Sequence, residues 1–259
     1  MTVSHVLAAT PTTPDAPSYS VLVASTADEI RAAQRLRHLV FAEEMGAQLH
    51  TSVSGLDVDA FDPYCDHLVV RDDRSGDTVG TYRMLPPHAA AAAGSLYADS
   101  EFDLSRLAPL RDTVVETGRS CVHPDHRNGA VINLMWAGIA RYLHLHNRRW
   151  LAGCASVPLA DGGFSADCVW ELARTRHLSP PALRVTPRRP YALGPAPTTE
   201  NAKLLRAVPP LLRGYLRLGA WVCGEPAHDT DFGVADFFIL LSLDRVDPRY
   251  LKHFLGEAW

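Results

Sequence analysis

A glutamate and an arginine three residues apart, Glu116 and Arg119, form a candidate acid–base pair. They belong to residues 113–123, an apolar run ended by Pro124 that predicts a β-strand. Residues three apart on a regular strand point to opposite faces, but a bulge at Gly118 would turn both side chains to one side. Glu116 would then be a carboxylate base held near a guanidinium. The alternative is a salt bridge at the edge of a strand.

A second chemical feature is the loop Arg127, Asn128, Gly129 and Ala130, which precedes a predicted helix over residues 131–146. Backbone N–H groups and the positive end of the helix dipole meet at such a position, and they suit a phosphate. The loop therefore predicts a phosphate-binding site. An ordinary tight turn is the alternative, because one glycine before a helix is a common pattern.

A third feature is an arginine on the apolar face of a helix. Thr26 and Glu29 form a capping-box pattern that predicts a helix running to about residue 45. Arg37 lies on the apolar face, seven residues after Ile30. A buried guanidinium needs a carboxylate or phosphate partner, whereas an arginine at the edge of the face can extend its charge into solvent.

Other reactive side chains give weaker patterns. Cys121 and His123 lie two apart on the predicted strand, hence on one face, but no third residue is evident to orient them as nucleophile and base. His144 and His146 lie two apart on a helix and do not face each other, so no metal site is expected. Ser156 could donate a hydrogen bond to a leaving thiolate, or cap the next segment.

The elements that would position these groups predict a mixed α/β (α+β) fold, because antiparallel hairpins alternate with helices. We expect a flexible N-terminal segment over 1–18, then a single domain over 19–259 with a Pro-rich, irregular insertion around 178–200. The predicted strands cover residues 19–24, 67–72, 78–85, 113–123, 150–157, 220–226 and 235–243, and the predicted helices cover 26–45, 131–146, 166–178, 210–219 and a last helix beginning at Pro248.

The composition of the 259-residue chain is that of an ordinary globular protein, with 47% hydrophobic and 21% charged residues. Its net charge of −4 argues against a general nucleic-acid binder. No apolar run approaches the ~18 residues of a membrane span, and the N-terminus has no secretory pattern. The five cysteines include no CxxC pair, which indicates buried thiols in a reducing compartment.

Several spaced motifs resemble one enzyme family. They resemble the ornithine N-acyltransferases of ornithine-lipid synthesis, which belong to the GNAT superfamily of N-acyltransferases and lie close to the acyl-homoserine-lactone synthases. The match covers roughly residues 19–160; residues 219–226, with Asp229 and Asp236 after them, also resemble the family's C-terminal part, and the insertion around 178–200 matches less well. The motifs are residues 36–44, 57–68, 79–85, 101–107, 116–127 and 153–156.

The resemblance implies a GNAT-like fold: a mixed, mostly antiparallel, V-shaped sheet flanked by helices and split between its fourth and fifth strands. It implies an enzyme that transfers a (3-hydroxy)fatty acyl chain to the α-amino group of ornithine, giving lyso-ornithine lipid. The donor would be acyl carrier protein, carrying the chain as a 4'-phosphopantetheine thioester, or acyl-CoA, with no permanently bound cofactor. A cytoplasmic location follows, with peripheral contact at the inner membrane surface as a further implication.

The resemblance also assigns residue roles. Glu116 and Arg119 are the catalytic residues. An aspartate from Asp57, Asp59 or Asp62 would bind the acceptor's side-chain cation, and Arg119 or Arg83 its carboxylate. The loop 127–130 occupies the superfamily's pyrophosphate-binding position but departs from the usual form, which fits a carrier-protein donor better than coenzyme A. The substrate-binding set, with Ser156 added from its own chemistry, is Arg37, Phe41, Asp59, Asp62, Arg83, Phe102 and Ser156.

Two alternatives stay open from the sequence. The nearest is an acyl-homoserine-lactone synthase, which would use S-adenosylmethionine, or another N-acyl amino acid synthase. The second is a non-catalytic module that binds acyl carrier protein or lipid. A set of arginines could dock an acidic carrier protein or anionic lipid head groups, or form an ordinary solvated surface. They are Arg148, Arg149, Arg184, Arg188 and Arg189.

Overall fold

The computed structural model describes residues 5–11, 17–196 and 206–255. The chain divides into two compact units, and each is built from separate stretches of sequence. The N-terminal unit contains residues 1–93, 117–148 and 248–259, and the C-terminal unit contains residues 94–116 and 149–247. The single domain expected over 19–259 stays a prediction.

The N-terminal unit is an antiparallel sheet flanked by helices. Its strands run in the order β1-β2-β3-β4, and β6 follows beside β4. The chain passes from one unit to the other within β6, after Glu116. The elements are β1 (Val6–Ala9), β2 (Tyr19–Val23), α1 (Ala27–His38), β3 (Asp66–Asp72), β4 (Thr78–Leu85), α2 (Pro87–Ala93), β6 (Val114–Val122), α3 (Gly129–Leu145) and α6 (Pro248–Leu255).

The C-terminal unit centres on a long buried strand. This strand, β11, pairs with β7 over nine residues, and β9 and β10 also pair with it. A separate two-residue ladder joins β5 and β8. The elements are β5 (Phe102–Asp103), β7 (Trp150–Pro158), α4 (Phe164–Leu172), β8 (Thr186–Pro187), α5 (Pro210–Arg217), β9 (Trp221–Val222), β10 (Ala227–Asp229) and β11 (Val234–Ser242).

Local sequence signals explain the main boundaries. The capping box before α1 is formed: the Thr26 hydroxyl accepts from the Glu29 N–H at 3.3 Å, and the Glu29 carboxylate accepts from the Thr26 N–H at 3.1 Å. A π-helical turn over Leu39–Glu44 continues the helix to about residue 45, as predicted. The side chain of Asn128 caps α3 by accepting from the Val131 N–H at 3.1 Å.

The core of the N-terminal unit lies between the sheet and its helices. Helix α1 packs on β3 and β4, and α3 packs on β1, β2 and β3. Gly138 allows the close approach of α3, because a Cβ atom there would lie 2.8 Å from the Cγ2 atom of Val21. In the C-terminal unit all nine residues of β11 are buried, so this strand forms the centre of its core.

Two expectations about irregular segments need correction. Residues 6–9, expected to be flexible, form β1 and pair with β2; four residues beside a Pro/Thr-rich stretch give too little pattern to predict a strand. The described part of the Pro-rich insertion, residues 178–196, contains β8 and bonds its backbone to neighbouring segments. Two-residue strands have no visible period, which is why the sequence suggested a loop. The last residues of the insertion, 197–200, lie outside the described residues.

Candidate active site

The N-terminal unit gathers three arginines and three aspartates. Helix α1 supplies one arginine, β4 and β6 supply the other two, and the loop before β3 supplies the aspartates. We call this group the charge cluster. Its members are Arg37, Asp57, Asp59, Asp62, Arg83 and Arg119.

Arg37 is the most buried member, with no exposed surface. Its Nε atom lies 2.9 Å from the Oδ2 atom of Asp57, and its Nη2 atom lies 2.7 Å from the Oδ2 atom of Asp62. Arg83 pairs through Nη1 with Asp59 at 2.6 Å and with Asp62 at 3.0 Å. Of the two readings of Arg37, the structure therefore shows the buried guanidinium with carboxylate partners, and not the arginine at the edge.

Arg119 joins the same cluster through an unusual backbone. Its φ is 50°, in the left-handed region that costs a non-glycine residue about 1–2 kcal/mol. Its Nε atom lies 3.2 Å from the Oδ2 atom of Asp57, and its Nη2 atom lies 3.4 Å from the Oδ2 atom of Asp59. The irregularity predicted at Gly118 therefore lies one residue later, and the ion pairs help to offset its cost.

The electrostatics of the charge cluster hold two of its aspartates, Asp59 and Asp62, ionised. Burial alone would raise the pKa of Asp62, but the hydrogen bonds and charges of Arg37 and Arg83 outweigh it and lower that pKa to about 2. The pKa of Asp59 is also lowered, against its burial, by Arg83 and Arg119. Three carboxylates are matched by three guanidinium groups, so this arrangement does not favour the expected cation site at Asp57, Asp59 or Asp62.

The predicted phosphate loop begins α3, as expected, but its two polar side chains already have partners. Arg127 forms a two-point ion pair with Glu44, with N···O distances of 2.7 and 2.5 Å. The side-chain Oδ1 atom of Asn128 accepts from the Val131 N–H, one of the amides that would otherwise face an anion. Gly129 has open space, since a Cβ atom there would meet nothing within 4 Å. The role of the loop stays a prediction.

Glu116 lies in the C-terminal unit and is 4% exposed. Its carboxylate accepts hydrogen bonds from the backbone N–H groups of Tyr97 and Ala98, at 2.6 and 2.8 Å. Glu116 therefore anchors the turn over residues 97–100.

Three carboxylates that the sequence analysis did not select lie together in the same unit. Glu101, Asp229 and Asp236 place carboxylate oxygens within 4.8 Å of one another, and we call them the acidic cluster. Asp236 is 3% exposed. Burial, and then the charge of Asp236, raise the pKa of Glu101 well above its ordinary value. This spacing suits an ammonium group, or a metal ion.

Glu116 and two members of the acidic cluster act on the same thiol, that of Cys154. Burial raises the pKa of the Cys154 thiol, and the charges of Glu101, Asp236 and Glu116 add to this effect. A partial signal for the acidic cluster was present in the sequence, because Glu101 opens one motif and Asp229 and Asp236 follow another. Their meeting depends on strand register: Asp236 lies opposite Ala227, two residues before Asp229. Spacing along the chain does not contain that information.

The remaining predicted residues are placed as follows. Phe102 is fully buried and packs edge to face on Phe238, with ring centroids 5.8 Å apart. Phe41 is buried in the N-terminal unit, and Ser156 is exposed on β7, opposite Asp236. Burial raises the pKa of the Cys121 thiol, which argues against its use as a nucleophile. All five cysteines are free thiols.

Because the pKa of Glu101 is raised in the folded state, the free energy of unfolding should fall as the pH rises. The folded state favours the protonated carboxyl, so stability is fully present below the unfolded pKa near 4.3 and is lost as pH rises towards the folded value. We expect the wild type to lose roughly 1–3 kcal/mol of unfolding free energy between pH 6 and 9, and Glu101→Gln to lose less. Urea denaturation across that range measures it. Parallel pH profiles of the two proteins would contradict the buried, protonated state.

Comparison with known proteins now decides the family. Residues 36–137 match the family model of the acetyltransferase (GNAT) domain. The chain is 36% identical over 256 residues to the L-ornithine N(alpha)-acyltransferase of Brucella abortus (strain 2308), covering 93% of this chain and 90% of that protein. This chain belongs to the L-ornithine N(alpha)-acyltransferase family. The resemblance stated from the sequence motifs is confirmed.

Solved structures support the GNAT fold expected for a member of the L-ornithine N(alpha)-acyltransferase family. FeeM, an N-acyl amino acid synthase from uncultured soil microbes, has a TM-score of 0.52 at 13% identity, covering 91% of this chain and 94% of its own. The acyl-homoserine-lactone synthase LasI has a TM-score of 0.51 at 13% identity, covering 88% of this chain and 91% of its own. At such identities the likeness shows the fold alone. Among the described residues of this family member, no helix has the length and apolarity to cross a bilayer.

Proposed function

We propose that the protein transfers a (3-hydroxy)fatty acyl chain from acyl carrier protein to the α-amino group of ornithine, giving lyso-ornithine lipid. The observation that carries the proposal is the 36% identity to an L-ornithine N(alpha)-acyltransferase over nearly the whole chain. Family membership supports an acyl donor and an amino-acid acceptor. The acidic cluster, in addition, suits an acceptor with more than one ammonium group.

The acceptor's charges favour the acidic cluster as their binding site. Free ornithine carries two ammonium groups and one carboxylate. In the charge cluster every aspartate is already paired with arginine. The acidic cluster instead brings three carboxyl groups together, so an incoming ammonium relieves their mutual repulsion. We therefore assign the acceptor's side-chain ammonium to the acidic cluster rather than to Asp57, Asp59 or Asp62.

Acyl transfer needs a base, because a protonated amine is not a nucleophile. We assign this step to Glu116, which accepts the proton of the α-ammonium directly or through water. The free amine then attacks the thioester carbonyl, the carbon–sulfur bond breaks as the amide forms, and the second amine proton leaves with the thiol. Ser156, exposed on β7, is the proposed donor to the departing sulfur. Arg119 holds the aspartates of the charge cluster in place, which is an indirect role.

The donor is the finer part of the proposal. A carrier protein presents a pantetheine arm with one phosphate, whereas coenzyme A also brings a diphosphate. Arg127 forms an ion pair with Glu44, so its charge is already partly neutralised. This supports a donor that brings only one phosphate to the loop 127–130, as the carrier-protein arm does. Arg149 and Arg184 are exposed and suit an acidic carrier surface. Phe41 and Phe102 remain proposed contacts for the substrates, and peripheral membrane contact remains a prediction.

A turnover assay tests the function. Purified protein is incubated with 3-hydroxyacyl carrier protein or 3-hydroxyacyl-CoA and one amine at a time, and products are identified by mass. The matched amine for ornithine is norvaline, which has the same carbon chain without the side-chain ammonium. We expect N-acylornithine, faster from the carrier protein, and much poorer use of norvaline. Product only from S-adenosylmethionine would make the protein a lactone synthase, and donor binding without turnover would make it a binding module.

A further inference from the structure

Residues 178–194 of the Pro-rich segment lie along the C-terminal unit as a strap. One side of this strap bonds to the segment that carries Glu101. The Arg188 N–H donates to the Glu101 carbonyl oxygen at 2.7 Å, and Pro187 lies opposite Phe102 in the β5–β8 pair. A ladder of two residues per strand is weak by itself, so the backbone bond at Arg188 adds to what holds Glu101 in place.

The other side of the strap bonds to the segment that leads into β10. The Val185 N–H donates to the Cys223 carbonyl oxygen at 2.8 Å. The contact is close enough to require a glycine: a Cβ atom on Gly224 would lie 2.5 Å from the Val185 carbonyl oxygen. The strap is therefore in direct backbone contact with the segment that carries Glu101 and with the segment that leads to Asp229, two of the three segments that carry members of the acidic cluster.

Two adjacent residues of the strap make the connection to both sides. The Nε atom of Arg188 donates to the Asp99 carbonyl oxygen at 2.8 Å, while its N–H reaches Glu101 two residues on. The carbonyl oxygen of Arg189 accepts from the N–H of His228 at 2.8 Å, and His228 directly precedes a member of the acidic cluster. Two adjacent residues thus link the segment that carries Glu101 to the strand that carries Asp229.

We propose that the strap is a positioning element for the acidic cluster, and that Arg188 is the positioning residue that holds Glu101 against its partners for acceptor binding. The inference rests on the proposed function, since that function assigns the acceptor's ammonium to the cluster. Arg188 acts through Glu101 and has no assigned contact with substrate. It is separate from the carrier-docking role, because its guanidinium donates to the Asp99 carbonyl oxygen.

Arg189 is the matched control. It has the same charge, is exposed and sits one residue away, and its bond to His228 uses the backbone, which a side-chain change leaves in place. Arg188→Ala keeps the backbone bond to Glu101 but removes the charged Nε donor from the Asp99 carbonyl oxygen, two residues before Glu101, whereas Arg189→Ala removes only surface charge. A docking role would affect both residues alike; a positioning role affects Arg188 alone.

The experiment compares Arg188→Ala, Arg188→Lys and Arg189→Ala with the wild type, using acyl carrier protein and a small acyl-pantetheine as donors. We expect Arg188→Ala to raise the KM for ornithine about tenfold with either donor. The donor KM should stay unchanged, and Arg188→Lys should recover part of the loss. We expect Arg189→Ala to leave the ornithine KM at the wild-type value. An Arg188→Ala effect confined to carrier-protein donors would overturn the positioning role in favour of docking.

A second readout does not depend on ornithine being the acceptor. The wild type is expected to lose unfolding free energy between pH 6 and 9, and Glu101→Gln is expected to lose less. The difference between these two losses reports how tightly Glu101 is held in the acidic cluster. Arg188→Ala should reduce the wild-type loss and Arg189→Ala should not; equal losses in all three proteins would overturn the inference. If Arg188→Ala reduces the loss and Arg189→Ala does not, but the wild type fails to acylate ornithine, then only the proposed function would be overturned. The groups that face Glu101 are Asp236, Asp229, Cys154 and Tyr97.

Discussion

Replacing Arg37 by alanine should lower the free energy of unfolding by about 3–5 kcal/mol. The guanidinium has no exposed surface and pairs with the carboxylates of Asp57 and Asp62. The backbone carbonyl oxygen of Asp57 would also lose the hydrogen bond that Arg37 donates to it. Two nearly buried carboxylates would be left with less compensating charge, and the fold would keep a cavity the size of the lost side chain. Urea denaturation at neutral pH measures the loss.

The same helix provides the control for Arg37. Arg31 is half exposed and forms an ion pair with Asp28, three residues earlier, at 2.5 Å. Such surface pairs contribute about 0.2–1 kcal/mol, so Arg31→Ala should cost far less than Arg37→Ala. Comparable losses for the two variants would mean that the buried pairs contribute no more than a surface pair, and would contradict the charge cluster's structural role.

Replacing Glu116 by glutamine should reduce turnover by roughly 10²–10⁴, the usual share of general base catalysis. Glutamine keeps the shape but cannot take the α-ammonium proton. Its amide also turns one acceptor oxygen into an NH2 group facing the backbone donors of Tyr97 and Ala98, so we expect a loss of about 1–3 kcal/mol in stability as well. Turnover is therefore measured at saturating substrates and scaled to the folded fraction.

The variant Glu101→Gln tests whether the catalytic base is Glu116 or the acidic-cluster carboxylate Glu101. If Glu116 is the base, Glu101→Gln should mainly raise the KM for ornithine and leave turnover within about tenfold of wild type. A Glu116→Gln enzyme with near wild-type turnover, beside a Glu101→Gln enzyme that has lost it, would move the base to Glu101. Glu116 would then serve only to anchor the turn at residues 97–100.

Local signals allowed much of the fold to be predicted. The capping box at Thr26 located α1, and Pro124 and Asn128 bracketed the end of β6 and the start of α3. These signals act over a few residues, so one sequence contains them. The partner requirement of a buried guanidinium left a carboxylate or a phosphate open for Arg37, and the structure supplies carboxylates from residues 57 and 62.

The features that were missed depend on distant contacts. A bulge was expected at Gly118, but the left-handed backbone of Arg119 was not, and ion pairs to a loop some 60 residues away help to stabilise it. The acidic cluster joins the residue before β5 to β10 and β11, and only strand register decides that these carboxylates meet. Short strands such as β5 and β8 form because their partners are present, which no local pattern reveals.

The charge cluster also bears on the order in which the N-terminal unit assembles. Its members come from residues 37, 57–62, 83 and 119, so its ion pairs close only after long stretches of chain have met. Each charge keeps its water until a partner arrives, because desolvating it alone is too costly. We therefore expect the cluster to form late in folding. Interactions made after the transition state slow unfolding without speeding folding, so we expect these six side chains to lengthen the lifetime of the native state.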